Sequence, residues 1–138
     1  MQRKYLWLPT SKPISEVISQ VTGYIHTIKD DVNCQSKNVL YRWKCKKANC
    51  KDHPKNEYIG KTTRSFQQRF SEHRDYVKRD ILTEPAGEHF NLSGHSVADI
   101  EGIVLEEIKN RDPFVLKSRE HLLIQKFDTF KNGLNKEH

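Results

Sequence analysis

The fold is decided by residues 57–73, Glu-Tyr-Ile-Gly-Lys-Thr-Thr-Arg-Ser-Phe-Gln-Gln-Arg-Phe-Ser-Glu-His. The first four predict a short strand that ends at a glycine, and residues from about 65 to 78 predict a helix. Arg69 and His73 are four residues apart, so this helix carries both on one face. With Tyr58 they suit chemistry on a phosphate, because a guanidinium pairs with two phosphate oxygens and a phenol or imidazole can move a proton.

Two further strands and a second helix are predicted around this stretch. Residues 38–44 alternate polar and apolar side chains, with Tyr41 on the apolar side, which is typical of a strand. Residues 100–108 predict a third strand, and residues 116–127 predict a helix. Proline and glycine interrupt residues 85–94, so we expect a break in regular structure there.

The segment before this core is expected to be a separate lead-in. Apolar residues recur with the period of a helix over residues 13–29: Ile14, Val17, Ile18, Val21, Ile25 and Ile28. Pro13 suits the first turn of that helix, and the polar residues 30–37 suit a connector. We therefore expect a lead-in over residues 1–37 with one amphipathic helix, followed by one domain over residues 38–138.

Length and composition limit the class of protein. The chain has 138 residues, no apolar run near the roughly 20 residues of a membrane span, and no secretory signal at its N-terminus. We expect an intracellular, soluble domain that does not contact a membrane. The cysteines are Cys34, Cys45 and Cys50, and an odd number in a reducing compartment argues against a disulfide framework and allows a metal site.

The positive charge is concentrated in one block. Residues 42–79 hold 12 lysines and arginines against 4 acidic residues, whereas the rest of the chain holds 12 against 14. Such a block is either a solvated surface or the contact area for a polyanion. Because it coincides with the Tyr-Arg-His cluster, we favour nucleic acid as the partner.

The apolar face of the last predicted helix contains one carboxylate. Glu120 lies within the apolar stripe of residues 116–127, where it loses hydration and needs a partner. Two explanations stay open. In the structural one, the carboxylate pairs with Arg119 or Lys126, or reaches water at the rim of the packed face. In the functional one, it ligates a hard divalent cation such as Mg²⁺.

Taken together, these pieces resemble the GIY-YIG nuclease domain over about residues 38–135. The matching features are Tyr41 in a strand, Tyr58-Ile59-Gly60, Arg69-x-x-x-His73, Arg119-Glu120 in a helix, and Gly133-x-Asn135. The first motif, Val39-Leu40-Tyr41, keeps the tyrosine and lacks the glycine. The resemblance implies an α+β fold with a small three-stranded antiparallel sheet flanked by helices, and a metal-dependent DNA endonuclease that hydrolyses phosphodiester bonds.

The resemblance also implies how a nucleic acid would be held. Glu120 would bind one Mg²⁺ or Mn²⁺ near the scissile phosphate, and Arg69 would stabilise the charge that develops on the phosphoryl oxygens. Lys61, Arg64 and Arg74 are the candidates for DNA contact.

Proton transfer is assigned to the aromatic residues in the same way. Tyr41, assisted by His73, would deprotonate the attacking water, and Tyr58 would orient the water or the phosphate. Which tyrosine is the base stays open, because an ordinary tyrosine pKa is about 10 and either would need a cation nearby. Asn135 would hydrogen-bond the Tyr58 region or the backbone near the metal.

A zinc site is predicted within the domain. Cys45 and Cys50 lie between the two tyrosine motifs, and His89 and His95 follow later, which together give a workable tetrahedral set. This arrangement is similar to the Cys-Cys-His-His site in the nuclease domains of Penelope-like retroelements. His53 is the rival ligand, because Cys50-x-x-His53 is also a short chelating pair. Four protein ligands leave no position for water, so this zinc would be structural.

Other functions stay open from the sequence. A zinc-stabilised module that binds nucleic acid without cutting it is the alternative to the endonuclease. DNA is the expected partner, and RNA or a reverse transcriptase domain of the same polypeptide are further partners that the resemblance allows. A protein from a eukaryotic retroelement would act in the nucleus.

Overall fold

The computed structural model describes residues 15–29 and 31–136. These residues form five β-strands, three α-helices and one 3₁₀ turn at Val97–Asp99. The elements are β1 Glu16–Ile18, β2 Ile25–Thr27, β3 Lys37–Cys45, β4 Glu57–Ser65, α1 Phe66–Lys78, α2 Pro85–Phe90, β5 Ile100–Glu107 and α3 Pro113–Phe127. Strands β1 and β2 form a hairpin, and the other three form an antiparallel sheet with the order β4-β3-β5. The predicted α+β fold with a small antiparallel sheet flanked by helices is confirmed.

The central strand β3 has a packed layer on each side. Its register pairs Tyr41 with Gly60 and Trp43 with Tyr58 of β4, so these four residues share one face of the sheet. Helix α1 covers this face, and the ring of His73 contacts the ring of Tyr41. The tyrosine of the first motif is therefore enclosed between the sheet and α1.

Helix α3 covers the opposite face of the sheet. Arg119 donates two hydrogen bonds to Glu106 of β5, at 2.9 and 2.8 Å, and Lys61 of β4 lies 3.5 Å from the Glu120 carboxylate. A paired guanidinium and carboxylate make a directional contact. These ion pairs tie α3 to both outer strands.

The expected lead-in helix is wrong over residues 15–29, which form the β1–β2 hairpin. The register pairs Val17 with His26, both buried, and Ile18 with Ile25, both 53% exposed. Burial thus alternates with the period of a strand.

The apolar spacing of this segment fits two short strands as well as one helix. Gly23, with φ of +78°, lies in the turn between the strands, and such a conformation breaks a helix. Pro13 and Ile14 of the expected helix lie outside the described residues.

The hairpin is joined to the C-terminal end of α3. Ser19 Oγ donates to the Phe127 carbonyl at 3.1 Å, and Thr22 Oγ1 donates to the Lys126 carbonyl at 2.7 Å. The last carbonyls of a helix have no partner within the helix, so these hydroxyls satisfy groups that would otherwise need water. The division of the chain into a lead-in over residues 1–37 and a domain over residues 38–138 stays a prediction. These two hydrogen bonds connect the expected lead-in to the expected domain.

The other predicted elements are confirmed with shifted bounds. Strand β4 is longer than expected, and α3 begins earlier, at Pro113, with Asp112 as the N-cap that accepts from Phe114 N at 2.9 Å. The predicted break at residues 85–94 contains the short helix α2, which has Pro85 in its first turn. No helix among the described residues is long and apolar enough to cross a membrane.

Gly102 allows α1 to approach the sheet closely. It lies in β5 beside Trp43, and a methyl group at this position would lie 2.6 Å from Phe70 Cε1 and 2.9 Å from Phe66 Cζ. Those distances are too short for carbon atoms, so the rings would have to move.

The variant Gly102→Ala should lower the free energy of unfolding by about 1–3 kcal/mol, because it overpacks a filled core. Urea denaturation followed by circular dichroism measures this change. Ser118→Ala on the exposed side of α3 is the control and should change stability by less than about 0.5 kcal/mol. Equal stability of the Gly102→Ala variant and the wild type would contradict the described packing.

Candidate active site and metal-binding cluster

An open cleft of about 500 Å³ lies beside the edge strand β4, between α1 and α3. Polar and charged side chains predominate in its lining: Tyr58, Lys61, Arg69, Thr83, Glu84, Pro85, Lys117, Glu120, His121, Ile124, Asn135 and Lys136. The cleft is therefore suited to a charged ligand rather than to an apolar one.

The contact between Tyr41 and Gly60 explains the glycine of the Tyr-Ile-Gly motif. The two residues are register partners, and the Tyr41 hydroxyl lies where a Gly60 side chain would otherwise be. A Cβ at Gly60 would overlap that hydroxyl and would lie 2.8 Å from the Tyr58 ring. Glycine therefore permits both tyrosines to pack against the backbone of β4.

The Tyr41 hydroxyl forms a buried hydrogen bond with His73. Tyr41 Oη lies 2.7 Å from His73 Nε2, and neither residue is accessible to solvent. Burial, and then the nearby Arg69 charge, lower the pKa of His73 to about 3, so its ring is neutral at pH 7. A neutral imidazole nitrogen can accept the Tyr41 proton in this bond.

The two tyrosines differ in their access to the cleft. Burial raises the pKa of Tyr41 well above its usual range, and this residue is absent from the cleft lining. Tyr58 lines the cleft and stacks on Trp43 with ring centroids 5.0 Å apart. Burial raises the pKa of Tyr58 to about 12, and the Arg69 guanidinium opposes this rise. Tyr58 is therefore the tyrosine that a ligand in the cleft meets.

Arg69 reaches the cleft from α1. Its Nη1 donates to Glu72 Oε1 at 2.9 Å and to Tyr76 Oη at 3.2 Å. Arg69 also hydrogen-bonds the side chains of Tyr41 and Tyr58, which lowers the pKa of both phenols against the effect of burial. The guanidinium therefore links α1 to both tyrosines beside the cleft. The predicted display of Arg69 and His73 on one helical face agrees with this geometry.

Glu120 faces Arg69 across the cleft from α3, and its partner comes from the sheet. Its side chain is 15% exposed and lies 3.5 Å from Lys61 Nζ. The suggested alternatives pair elsewhere: Arg119 bonds Glu106, and Lys126 lies over the ring of Tyr24. The carboxylate is thus largely desolvated and neutralised by the Lys61 ammonium, so a metal ion at this carboxylate would have to replace Lys61 as its partner.

Asn135 holds the edge strand next to Tyr58. Its Oδ1 accepts from Ile59 N at 2.9 Å and its Nδ2 donates to the Ile59 carbonyl at 2.8 Å. The side-chain amide thus pairs with β4 as a neighbouring strand would. Leu134 N extends this pairing by donating to the Glu57 carbonyl at 2.9 Å.

Of the three residues predicted to contact DNA, one lines the cleft and two lie outside its lining. Lys61 lines the cleft, whereas Arg64 is outside its lining and pairs with Glu72 at 2.6 Å. Arg74 is also outside the lining, and its role stays a prediction. Lys117 and His121 also line the cleft, and they were not predicted from the sequence. Lys117 is three residues before Glu120 and four before His121, and this helical spacing could have indicated that the three share one side of α3.

The predicted zinc ligands come together in one cluster. Atoms of Cys45, Cys50, His89 and His95 that can bind a metal all lie within 4.8 Å of one another. Ligand atoms of a tetrahedral zinc site lie roughly 3.3–3.8 Å apart, so a small contraction would suffice. The rival ligand, His53, is exposed and is not part of the cluster.

Two features of the cluster fit a bound cation. His95 Nε2 is buried without a hydrogen-bond partner among the described residues, although its Nδ1 lies 3.2 Å from the Ser93 carbonyl. Burial raises the pKa of Cys45 to about 12, which a coordinated metal would reverse by binding the thiolate. Two sulfurs with two imidazoles are a donor set that zinc prefers.

A family model described as the GIY-YIG catalytic domain matches residues 37–135. The chain belongs to the GIY-YIG family. Comparisons with curated proteins and with solved structures found no significant match. Membership implies a nuclease with DNA as its substrate, and the β1–β2 hairpin lies outside the matched range.

One acidic residue beside the cluster of this GIY-YIG domain was missed in the sequence. Asp52 Oδ2 lies 3.2 Å from His89 Nδ1, and His89 Nε2 lies 3.5 Å from Cys50 Sγ. A carboxylate on one ring nitrogen fixes the other as the ligand atom. The Asp52 position therefore suits His89 as a zinc ligand through Nε2.

Removal of the Asn135 amide should destabilise the domain. Asn135→Ala leaves the Ile59 N–H and carbonyl without partners, which costs roughly 2–4 kcal/mol of unfolding free energy in total. Asn132→Ala in the same turn is the matched control, because it loses one bond to Asp128 and should cost less than about 1 kcal/mol. Urea denaturation tests both, and equal effects would contradict the bidentate pairing.

Proposed function

We propose that this GIY-YIG domain is a metal-dependent endonuclease that hydrolyses phosphodiester bonds in DNA and nicks one strand in each event. The observation that carries the proposal is the cleft itself. Tyr58 from β4, Arg69 from α1 and Glu120 from α3 line it together, although they belong to three separate elements. A phenol, a guanidinium and a carboxylate in one polar cleft are suited to phosphate chemistry.

Glu120 is proposed to hold one Mg²⁺ or Mn²⁺. Such ions take oxygen ligands and commonly use one or two carboxylates, with waters and phosphate oxygens at the remaining positions. When bound, the ion would polarise the phosphate and lower the pKa of a coordinated water. Lys61, now 3.5 Å from the carboxylate, would turn to the phosphate.

Tyr58 is proposed to accept the proton of the attacking water. It lines the cleft, whereas Tyr41 lies behind it with its hydroxyl bonded to His73. A pKa of about 12 makes Tyr58 a strong base once it is ionised, and the Arg69 guanidinium favours that ionised form. Arg69 also stabilises the charge that develops on the phosphoryl oxygens. The Tyr41–His73 pair positions this group.

The Cys-Cys-His-His cluster is proposed to bind a structural zinc. Cys45 ends β3, Cys50 lies in the following loop, and His89 belongs to α2, so one ion would join three separate segments. Zinc affinity would then contribute to folding stability.

A retroelement origin of the Penelope-like type is the more specific proposal. It is supported by the Cys-Cys-His-His cluster inside a nuclease domain. A nick in such an element would supply a primer end for a reverse transcriptase domain, and the protein would act in the nucleus. The zinc-stabilised binding module is the alternative, and the following experiment separates the two.

Glu120→Gln should lower the rate of supercoiled-plasmid nicking in Mg²⁺ or Mn²⁺ by roughly 10²-fold or more, because metal catalysis supplies several kcal/mol. The carboxamide keeps the shape and loses the charge that binds the ion. Gel separation of supercoiled and nicked plasmid measures the rate, and retention of DNA by the variant shows that binding persists.

Glu84→Gln is the matched control, because Glu84 is the other glutamate that lines the same cleft. It should keep most of the activity. A loss on Glu84→Gln with none on Glu120→Gln would reverse the metal assignment. Nicking by neither the wild type nor any variant would favour the binding module.

Asp52→Ala should weaken zinc binding about 10–100-fold, because His89 loses the carboxylate that orients it. Competition with a chromophoric chelator measures this affinity, and Cys45→Ser should lose stoichiometric zinc. His53→Ala is the control and should bind zinc as the wild type does. Zinc-free folded wild type, or a loss in His53→Ala equal to that in Asp52→Ala, would contradict the ligand set.

A further inference from the structure

The α3 side of the cleft carries positive charge that the catalytic assignment does not use. Lys117 lies three residues before Glu120 and four before His121, and these spacings put all three on the side of α3 that lines the cleft. Neither Lys117 nor His121 belongs to the basic block at residues 42–79. The α3 side of the cleft therefore adds a lysine and an imidazole that lie outside the basic block.

The cations of the cleft differ in the partners that they already have. Lys61 lies 3.5 Å from Glu120, Arg69 bonds Glu72 at 2.9 Å, and Lys136 lies 3.6 Å from Glu88. Lys117 is exposed, and it forms no ion pair among residues 15–29 and 31–136. Its charge faces the cleft and is available to an incoming anion.

We propose that Lys117, with His121 beside it, binds the backbone phosphate next to the scissile one. This inference rests on the proposed function and adds the direction of the bound strand. The strand crosses the cleft from the wall formed by Lys61 and Arg69 to the α3 wall. DNA is thus held between two sides of the cleft rather than along the basic block alone.

The spacing on α3 agrees with one step along a nucleic acid. Lys117 and Glu120 are separated by about 4.5 Å along the helix axis, at 1.5 Å per residue. One nucleotide advances a strand by about 3.4 Å along the duplex axis. Neighbouring phosphates are farther apart than this rise because the strand winds around the axis, and the flexible lysine stem covers that longer distance. A metal-bound phosphate at Glu120 therefore places its neighbour within reach of Lys117.

Lys117 has a matched control on the same helix. Lys126 follows it by nine residues, which is half a turn away around α3, and lies over the ring of Tyr24 at 5.8 Å. Both are lysines on one helix, but Lys126 is outside the cleft lining. Lys117→Ala and Lys126→Ala therefore remove equal charge from opposite sides.

The test measures binding of a fluorescein-labelled DNA duplex to the zinc-loaded protein by anisotropy, without added Mg²⁺, from 50 to 200 mM salt. Lys117→Ala should weaken binding several-fold and reduce the slope of log K against log salt by about 0.9, because one phosphate contact is lost. Lys126→Ala should keep the wild-type slope. Thermal unfolding of both variants should match that of the wild type.

Equal affinity and slope in Lys117→Ala and Lys126→Ala would overturn the proposal. Plasmid nicking by the same proteins separates this failure from failure of the proposed function. If the wild type nicks and Lys117→Ala binds as Lys126→Ala does, the strand path is wrong and the nuclease stands. If neither the wild type nor any variant nicks the plasmid, but Lys117→Ala has a smaller slope of log K against log salt, the cleft binds DNA without cutting it and the proposed strand path stands.

Discussion

The site depends on the packing of Tyr41 over Gly60. The tyrosine ring fills the space of a missing side chain, and its hydroxyl reaches His73 at 2.7 Å. One contact thereby joins the central strand, the edge strand and α1. The position of Arg69 on α1 and of Tyr58 on β4 follows from it, because both project from elements that this contact fixes. A glycine without catalytic chemistry is therefore a geometric requirement of the cleft.

Two sets of tertiary contacts support the elements that line the cleft. In the first, Asn135 pairs with Ile59 of the edge strand, while hydroxyls of the β1–β2 hairpin, including that of Ser19, bond the last carbonyls of α3. In the second, the Cys-Cys-His-His cluster gathers the loop after β3 and the segment around α2. Both supports involve residues distant in sequence, so the catalytic groups are positioned by tertiary contacts rather than by one local motif.

Periodicity was sufficient for the sheet and the two long helices, because that signal is local. Spacing alone left His53 as a rival zinc ligand, and the resemblance to a known Cys-Cys-His-His site selected the four cluster residues. The helix expected over residues 13–29 was wrong over the described residues 15–29, because the apolar spacing fits a strand period as well as a helix period and the turn at Gly23 decided between them. The pairing of Lys61 with Glu120, and the approach of Asp52 to the cluster, join separate elements and had no local signal. The unequal burial of the two tyrosines is likewise a tertiary property.

The most direct test of the central contact is the single-turnover nicking rate of Gly60→Ala per folded molecule, beside that of Gly102→Ala. Both add one methyl group to the face of the sheet under α1. Gly60→Ala should lose about 10²-fold in rate with DNA affinity retained, because the methyl group displaces the Tyr41 hydroxyl and the Tyr58 ring. Folded Gly102→Ala should nick within a few-fold of the wild type. Wild-type nicking by folded Gly60→Ala would contradict the account.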